Sequence, residues 1–560
     1  MDPQHKNDSD EVHRQEEKGI QPGPENTPQP RKSWRFWAII ISLSLTGLCS
    51  ALEGTIITSA LPTITETLGG GNAYIWVPNA YFLASIATLP LFAQASNIFG
   101  RRWLILISVA LFVLGSGLCG GTSSMGMLIA GRTVQGLGGG GIALMINIIV
   151  TDIVSLRERG KYMALIQMAG TIGAAVGPFI GGVITSQSSW RWVFYINLPI
   201  GGTAFVALFL FLRLNYDREQ SWKERVTRID VFGNAVFIAA IIAVLIALTW
   251  GGTIYNWETY NVIVPLVLGF AGLGLFLVVE WTLVKEPSFP RGIVSNITSA
   301  VALILTFIHT LCTYCAFYFL PLYFQAVRRL SVMESGIDTI PIFAGTLPFA
   351  IVGGILLSKI GRYKPLHLIG WVFVIISFGL FSLLGPDSST AAWACYQLLC
   401  AIGVGLLASI LLPAVQAPLD ESLAATATGV WSFFRGFGSV WGVTIPSAIF
   451  NNQCRQNAVR TITDPKIAQM LTGGKGYQYA TKAFLDSIEN PTSRAQVVDV
   501  FHKSLRIVWY IGTAFAGLGF LLTFLEKEIE LRRRVDTKFG IEDEEDSKGS
   551  SGPVEPERNV

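Results

Sequence analysis

Residues 170–182 read GTIGAAVGPFIGG, which places five glycines and one proline in an otherwise apolar run. An α-helix turns by about 100° per residue, so residues three or four positions apart share a side. Four of these glycines therefore fall on one helix face: Gly170, Gly173, Gly177 and Gly181. The pattern predicts a helix with a groove of small residues along one side.

Such a groove has a packing use inside a membrane. Small residues let a neighbouring backbone approach closely and gain dispersion contacts. Pro178 removes one backbone hydrogen bond and predicts a bend in the same helix. Gly182 lies on a different side. Helix packing alone would explain this pattern, and periodicity does not say which motion the groove serves.

The composition places the stretch in a membrane. Of the 560 residues, 51% are hydrophobic and only 14% are charged. The charges are concentrated at the two ends and in short gaps between apolar runs of about 20 residues, the length that crosses a hydrocarbon core. The sequence therefore predicts an all-α polytopic membrane protein. The net charge of +3 is too small and too scattered to indicate nucleic acid as a partner.

Fourteen apolar segments lie between two polar tails at 1–36 and 526–560. Their boundaries are 37–61, 74–95, 104–122, 126–150, 162–185, 193–213, 230–250, 261–283, 297–322, 337–358, 366–385, 391–413, 425–450 and 507–525. The tails are charged and contain no apolar segment, so we expect them to be disordered.

Lysine and arginine are distributed unequally between the loops. One set of short loops holds Arg101, Arg102, Arg157, Arg159, Lys161, Arg213, Arg218, Lys223, Arg225, Arg228, Lys285, Arg291, Lys359, Arg362 and Lys364. The opposite short loops hold Arg191, Arg328 and Arg329. The positive-inside rule then predicts that both termini are cytoplasmic and that loop 451–506 is extracellular.

A weak internal sequence repeat suggests that the chain has two related halves. The sequences ASNIFGRRWLIL (95–106) and LLSKIGRYKPLH (356–367) each place Gly-Arg before the bulky residues that open the next helix. A short basic inner loop would explain the arginines, but it explains the matched Gly100 and Gly361 less well. Repeated halves are typical of secondary transporters.

Two charged residues lie within apolar segments at similar depth. Glu53 is about eight residues from the outer end of the first segment, and Arg132 is about six from the outer end of the fourth. An intramembrane charge costs at least about 2.5 kcal/mol unless it is paired or hydrated. We therefore expect Glu53 and Arg132 to form a buried pair, although Arg132 alone could also extend to the outer headgroups.

Other polar residues indicate a water-accessible cavity and an inner cluster. Gln135 and Asn147 share a broad face with Arg132, and Arg435 lies in the thirteenth segment. Asp152 ends the fourth segment, where Arg101 or Arg102 could reach it. The glycine spacing of GLGGGG (136–141) resembles a nucleotide loop, but it lies inside a helix with no preceding strand.

The cysteines form no disulfide framework, because six of them lie in or beside apolar segments and Cys454 stands alone in a loop. His309, Cys312 and Cys315 share a helix side, but packing is a far better explanation than metal. We expect no metal, no cofactor and no enzymatic activity. No nucleotide-hydrolysing motif is present, so a gradient must supply the energy.

At this point five motifs in order become recognisable: LEGTIITSALPTI (52–64), SNIFGRRW (96–103), GRTVQGLGGGG (131–141), GAAVGPFIGG (173–182) and WRWVFYINLPIGG (190–202). They resemble motifs of the fungal fourteen-span drug:proton antiporters of the major facilitator superfamily. The chain departs from the family pattern at Ala93 and Asn97, where a glycine and an aspartate are usual. This departure removes a carboxylate from the loop motif.

The resemblance implies a major facilitator fold with 14 transmembrane helices, in which 37–213 and 297–525 are six-helix bundles and 230–283 is an inserted pair. It also implies proton-coupled export of small hydrophobic compounds, such as drugs, toxins or secondary metabolites, by a monomer in the plasma membrane or an internal membrane. Uptake of a basic amino acid or an iron chelate is an alternative, and a non-transporting sensor is another.

Roles follow residue by residue from this resemblance. Proton coupling is expected to involve Glu53 and Arg132. The substrate cavity is expected at Asn79, Tyr81, Gln135, Asn147 and Arg435. A hinge of the antiporter motif is expected at Gly173, Gly177, Pro178, Gly181 and Gly182. A cytoplasmic gate is expected at Asn97, Gly100, Arg101, Arg102 and Asp152.

Overall fold

The computed structural model describes residues 33–68, 76–213, 228–251, 255–284, 287–472 and 476–531. Within these ranges the chain is folded into helices, and no β-strand is formed. Most of the two expected tails, 1–36 and 526–560, lies outside the described residues, as does the basic stretch 214–227.

The α-helices are numbered in chain order. They are α1 (Trp34–Leu68), α2 (Trp76–Ala87), α3 (Leu89–Phe99), α4 (Arg101–Gly120), α5 (Met125–Ile153), α6 (Leu156–Gln187), α7 (Trp192–Tyr195), α8 (Asn197–Phe211), α9 (Val231–Trp250), α10 (Tyr260–Thr282), α11 (Arg291–Ser295), α12 (Ile297–Ala326), α13 (Val332–Asp338), α14 (Ile340–Ile360), α15 (Lys364–Phe381), α16 (Thr390–Gln416), α17 (Ala424–Thr461), α18 (Pro465–Thr472), α19 (Gly476–Tyr479), α20 (Lys482–Asp486) and α21 (Pro491–Thr523).

The predicted apolar segments all fall on these helices. Twelve described helices are long and apolar enough to cross a membrane, and the pair α2–α3, bent by 46°, is a thirteenth candidate. The segment 425–450 lies on α17, which is rich in glycine, serine, threonine and tryptophan and so does not reach the same apolar average. Its composition suits a helix that faces protein and a cavity more than lipid.

Side-chain caps fix where several helices begin. Ser124 accepts a hydrogen bond from the Met127 amide at 3.3 Å and starts α5, and Asn296 accepts from the Thr298 amide at 3.0 Å and starts α12. These caps satisfy amides that have no partner in the first helical turn. Gly361 ends α14 with φ of 72°, a left-handed conformation that favours glycine.

The helices pack in two groups with one pair beside them. Helices α2 to α8 contact one another in the first half, and α12 to α21 do so in the second. Helices α9 and α10 pack on each other, where the Phe237 and Phe276 rings lie 4.8 Å apart. This pair contacts both groups, since Phe237 also meets Phe433 of α17 and Trp250 meets Trp76 of α2.

The predicted loop 451–506 is largely helical, which corrects the sequence-based expectation. Helix α17 continues to Thr461, α21 begins at Pro491, and three short helices lie between them. Cys454 is therefore buried in a helix and not placed in a loop. The Phe450 and Phe501 rings stack at 6.0 Å, so apolar packing organises this polar segment. Hydropathy missed it because its polar residues face outward.

The second tail also begins later than predicted, because residues 526–531 pack against the loop between α14 and α15. Glu526 is buried and lies 2.9 Å from Nδ1 of His367, and the Leu531 amide donates to the Gly361 carbonyl at 3.1 Å. The Tyr363 hydroxyl donates to the Lys527 carbonyl. Burial, with the Glu526 carboxylate nearby, raises the pKa of the Tyr363 phenol, which keeps it a donor.

Candidate functional site

A buried cluster of four polar side chains forms between α1, α5 and α8; we call it the Glu53 cluster. Its members are Glu53, Arg132, Gln135 and Asn197, and each is fully buried. Arg132 Nη1 donates to Glu53 Oε1 and, at 2.7 Å, to Gln135 Oε1. Asn197 Nδ2 donates to the other carboxylate oxygen of Glu53. The structure thus pairs Glu53 with Arg132, and Arg132 does not extend to the headgroups.

Neighbouring groups fix the orientation of the cluster. Arg132 Nε donates to the Val77 carbonyl at 2.9 Å, and Gln135 Nε2 donates to Ser116 Oγ at 2.7 Å. Cys49 Sγ contacts Asn197 Oδ1 at 3.5 Å, which turns the Asn197 amide nitrogen toward Glu53. Arg132 Nη2 has no hydrogen-bond partner among the described residues, but in a low-dielectric interior the bonds that the other atoms make favour one geometry.

Asn197 is a member that sequence reasoning missed. It opens α8 within the motif WRWVFYINLPIGG, which was recognised only as a family signature. A lone asparagine between apolar residues was the available signal. Because an unsatisfied amide is costly inside a membrane, that asparagine was a candidate for a buried polar partner.

Glycines bring α5 close enough to its neighbours to place Arg132 and Gln135. A methyl group added to Gly136 or Gly140 would overlap the backbone of Tyr81 or Ser85 on α2. One added to Gly138 would overlap the backbone of α4. The run GLGGGG is therefore a close-packing element of a helix.

A central cavity lies between the two helix groups. It has two adjoining parts of about 450 Å³ and about 200 Å³, which share Gln167, Thr171, Thr310, Tyr314 and Arg435. Both helix groups supply its walls. The larger part reaches the Glu53 cluster through Tyr81, whose ring lies 4.6 Å from the Arg132 guanidinium.

The structure places three of the five residues predicted for the substrate cavity on the cavity wall. Tyr81, Asn147 and Arg435 line the cavity. Gln135 does not, because its amide is bound within the Glu53 cluster. Asn79 is half-buried but does not line either part, because it lies on α2 two residues before Tyr81 and so on another helix side.

The residues expected to form a gate lie at one end of the molecule, the Gly100 end, where α3 and α5 end. Arg101 Nε donates to Asp152 Oδ2 at 2.8 Å, and both side chains are buried. Arg102 instead donates to the Phe209 carbonyl at 2.8 Å. Asn97 Nδ2 donates to Thr426 Oγ1 of the second half at 2.9 Å. Gly100 has φ of 84°, which favours glycine at this turn.

A second contact between the two halves at the Gly100 end was not predicted. Arg159, 1% exposed, donates to Gln416 Oε1 at 2.7 Å and forms a salt bridge of 2.5 Å with Glu421. In the sequence Arg159 stands out only as one of the basic residues of the loops predicted to be cytoplasmic. Glu421 lies in a loop of the second half, and an acidic residue in one of the loops predicted to be basic was the signal that could have indicated a partner.

The glycine face of α6 packs against α1. A methyl group added to Gly173 would lie 2.5 Å from the Leu48 carbonyl oxygen, and one added to Gly177 would overlap the Thr55 side chain. At Gly170 the nearest atom would be 3.7 Å away, and at Gly182 no described atom lies within 4 Å. Gly181 is buried. Pro178 belongs to α6, but its side chain lies outside the described part of the chain.

The glycine-lined helices, the buried pair and the central cavity coincide with a family match. A model described as the Major Facilitator Superfamily matches residues 43–443. The chain belongs to the major facilitator superfamily. It is therefore a multi-pass membrane transporter with a small-molecule substrate and not an enzyme.

Relatives within the superfamily come from fungi. The MFS-type transporter ucsD of Acremonium sp is 62% identical over 527 residues, covering 94% of this chain and 90% of the relative. The efflux pump FUS6 of Gibberella fujikuroi is 44% identical, covering 94% of this chain and 96% of the relative. The MFS-type efflux pump LUC4 of Fusarium sp is 43% identical, with 94% of each chain covered.

Solved structures of other major facilitator proteins share the fold. The human organic anion transporter MFSD10 superposes with a TM-score of 0.54 at 15% identity, covering 88% of this chain and 100% of the other. The proton:xylose symporter XylE gives a TM-score of 0.54 at 13% identity, covering 87% and 95%. At such identities the likeness supports the all-α major facilitator fold alone.

Proposed function

We propose that this major facilitator protein exports small, mostly hydrophobic compounds in exchange for protons, by alternating access. Two relatives that share 43% to 44% of its residues are named efflux pumps, which supports the direction. The proposed location is the plasma membrane, with both termini cytoplasmic, as the charge bias of the loops favours.

The observation that carries the proposal is the buried carboxyl of Glu53. It is fully buried, one oxygen is bound by Arg132 and the other by Asn197, and the cluster borders the cavity through Tyr81. A carboxyl in such a site can hold or release a proton as its surroundings change.

In the proposed cycle, protonation of Glu53 removes the negative charge that binds Arg132. Arg132 keeps Gln135 and the Val77 carbonyl as acceptors, so it can shift without losing every partner. The Tyr81 ring beside its guanidinium would pass that shift to the cavity wall. Loss of the proton would restore the salt bridge and complete the exchange.

The test compares Glu53→Gln with Glu53→Asp in a pump-deficient yeast exposed to a panel of hydrophobic compounds. An amide cannot release a proton, so we expect Glu53→Gln to abolish resistance while Glu53→Asp retains part of it. Protein abundance at the membrane is measured in the same cells.

A second variant separates coupling from folding. Removing one partner of a buried ion pair costs about 3–5 kcal/mol, whereas replacing both leaves no unpaired charge. The double variant Glu53→Gln with Arg132→Gln should therefore reach the membrane at normal abundance and still fail to transport. Full resistance in either variant that carries Glu53→Gln would refute the proton-site assignment.

A further inference from the structure

Arg435 is an arginine of the central cavity whose charge is not balanced by a carboxylate. Arg435 is half-buried, whereas the three fully buried arginines of the described residues are each paired: Arg101 with Asp152, Arg132 with Glu53, and Arg159 with Glu421. Among the described residues, no carboxylate lies within salt-bridge distance of Arg435.

The contacts that Arg435 does make are neutral. Its guanidinium lies 5.4 Å from the Trp431 ring, and the Gln167 amide, turned so that its oxygen faces the guanidinium, accepts at 2.8 Å. These groups orient the side chain without neutralising it. A guanidinium in a cavity at membrane depth favours an anion as its partner.

Two polar groups without a hydrogen-bond partner among the described residues lie close to Arg435 on α17. Trp431 is 5% exposed, lines the cavity, and its indole N–H has no partner among the described residues. The hydroxyl of Ser432 also lines the cavity and has no described partner. Trp431 and Arg435 are four residues apart on α17, so both face the same space. Because Trp431 lines the cavity, its indole N–H is available to donate to a hydrogen-bond acceptor on a bound molecule.

The rest of the cavity is mostly apolar. Phe317, Phe343 and Leu347 line the smaller part, and Phe82, Ile86 and Leu89 line the larger part. His309, which lines the smaller part, uses Nε2 to donate to the Val404 carbonyl at 3.0 Å. The cavity thus combines one unbalanced cation with apolar walls.

We propose that Arg435 and the Trp431 indole N–H bind an anionic group, such as a carboxylate or enolate, at one end of an otherwise hydrophobic substrate. This assignment rests on the proposed export function and names the chemical class of its cargo. Arg435 contributes two or more N–H groups in a planar fork that matches an oxyanion, and the aromatic walls hold the apolar body.

The test is a binding assay on the full-length protein purified into nanodiscs of phosphatidylcholine, a lipid without net charge. The probes are 1-pyrenebutyrate and 1-pyrenebutyramide, which have the same ring system and chain and differ in charge. Energy transfer from tryptophan to pyrene reports binding near neutral pH. A charge-assisted hydrogen bond is stronger than a neutral one, so we expect the acid to bind about tenfold more tightly than the amide.

Variants show which residues produce the preference for the acid over the amide. Arg435→Gln should abolish the difference between acid and amide, Arg435→Lys should retain part of it, and Trp431→Phe should weaken binding of the acid. Arg328→Gln is the matched control, since it removes an arginine that donates to the Ser388 carbonyl outside the cavity. Thermal unfolding of each variant shows that the fold is kept.

The outcomes separate this proposal from the proposed function. Failure of the wild-type protein to bind the acid, equal affinity for both probes, or a preference that survives Arg435→Gln would overturn it. The assay uses no proton gradient and leaves Glu53 intact, so it can fail while the Glu53→Gln result stands. Loss of transport in Glu53→Gln together with an acid preference that is kept in that variant would support both assignments.

Discussion

At the scale of single residues, Asn197 decides whether the second oxygen of Glu53 has a partner. Its amide is the donor to that oxygen. Leaving a buried acceptor without a donor costs about 1–3 kcal/mol. We therefore expect Asn197→Leu to lower the stability of the wild-type protein by an amount of that order, measured by thermal unfolding in detergent.

A double-mutant cycle makes this prediction specific. In the Glu53→Gln background the ionised carboxylate is already gone, so Asn197→Leu should cost much less there. Asn79→Leu is the control, because Asn79 is a half-buried amide of α2 outside the Glu53 cluster. Equal costs in both backgrounds would show that Asn197 does not act through Glu53.

The sequence shows which polar residues must be buried in contacts better than it shows which residues they bind. The pairing of Glu53 with Arg132 followed from equal depth along two helices, because an unpaired intramembrane charge is costly. Gln135 shares a helix side with Arg132, as predicted, but was assigned to the cavity. Helical periodicity gives the direction of a side chain and not its distance from the cavity or from other polar groups. Asn197 and Arg159 bind residues far away in the chain, and no local pattern encodes such contacts.

At the scale of helices, the glycine face of α6 sets how closely that helix meets α1. Valine at Gly177 would overlap Thr55, and at Gly173 it would overlap the Leu48 backbone. Overpacking forces helices apart and typically costs about 1–3 kcal/mol. We predict that Gly177→Val severely impairs efflux of hydrophobic substrates and that Gly173→Val does so nearly as much, measured on protein that reaches the membrane.

Gly182 supplies the matched control, because a side chain there meets no described atom within 4 Å. Gly182→Val should be mild despite the same change in size. Probe binding to Gly177→Val should survive better than transport if the face serves movement between the two helix groups. Similar tolerance of valine at Gly177 and Gly182 would show that packing against α1 is incidental.

The extent of the helices shows where sequence patterns stop being informative. Apolar runs located the membrane segments, because lipid demands apolar side chains over the whole span. They did not show that α17 continues to Thr461 or that α21 starts at Pro491. Beyond the membrane a helix needs only one apolar face, and residues such as Cys454 and Phe501 supply it.

At the scale of the whole molecule, the two helix groups are joined at the Gly100 end. Arg159 of α6 binds Gln416 and Glu421, and Asn97 of α3 binds Thr426. These contacts link residues from the two halves of the chain. A transporter that works by alternating access must break them in each cycle. They therefore bias the equilibrium toward the state in which this end is closed.

Arg159→Gln tests that bias, because glutamine keeps polarity but loses the charge that binds Glu421. A partly buried charge pair stabilises the closed state, and each loss of about 1.4 kcal/mol of this stabilisation shifts the equilibrium between the two states by roughly tenfold. The closed state is measured as the yield of cross-linking between Asn97→Cys and Thr426→Cys with a short thiol-reactive reagent. We expect that yield to fall several-fold and transport to slow.

Arg102→Gln is the control for this experiment, since Arg102 lies at the same end but binds the Phe209 carbonyl within its own helix group. Its cross-linking yield should match that of the wild-type protein. Glu421→Gln should reproduce Arg159→Gln, and combining the two should add little, because both remove the same salt bridge. Arg159 Nη2 also donates to the Thr151 carbonyl of α5 at 2.7 Å, so additive losses would show that Arg159 acts through Gln416 or Thr151 instead. An unchanged yield in all three variants would show that the closed end is held by helix packing alone.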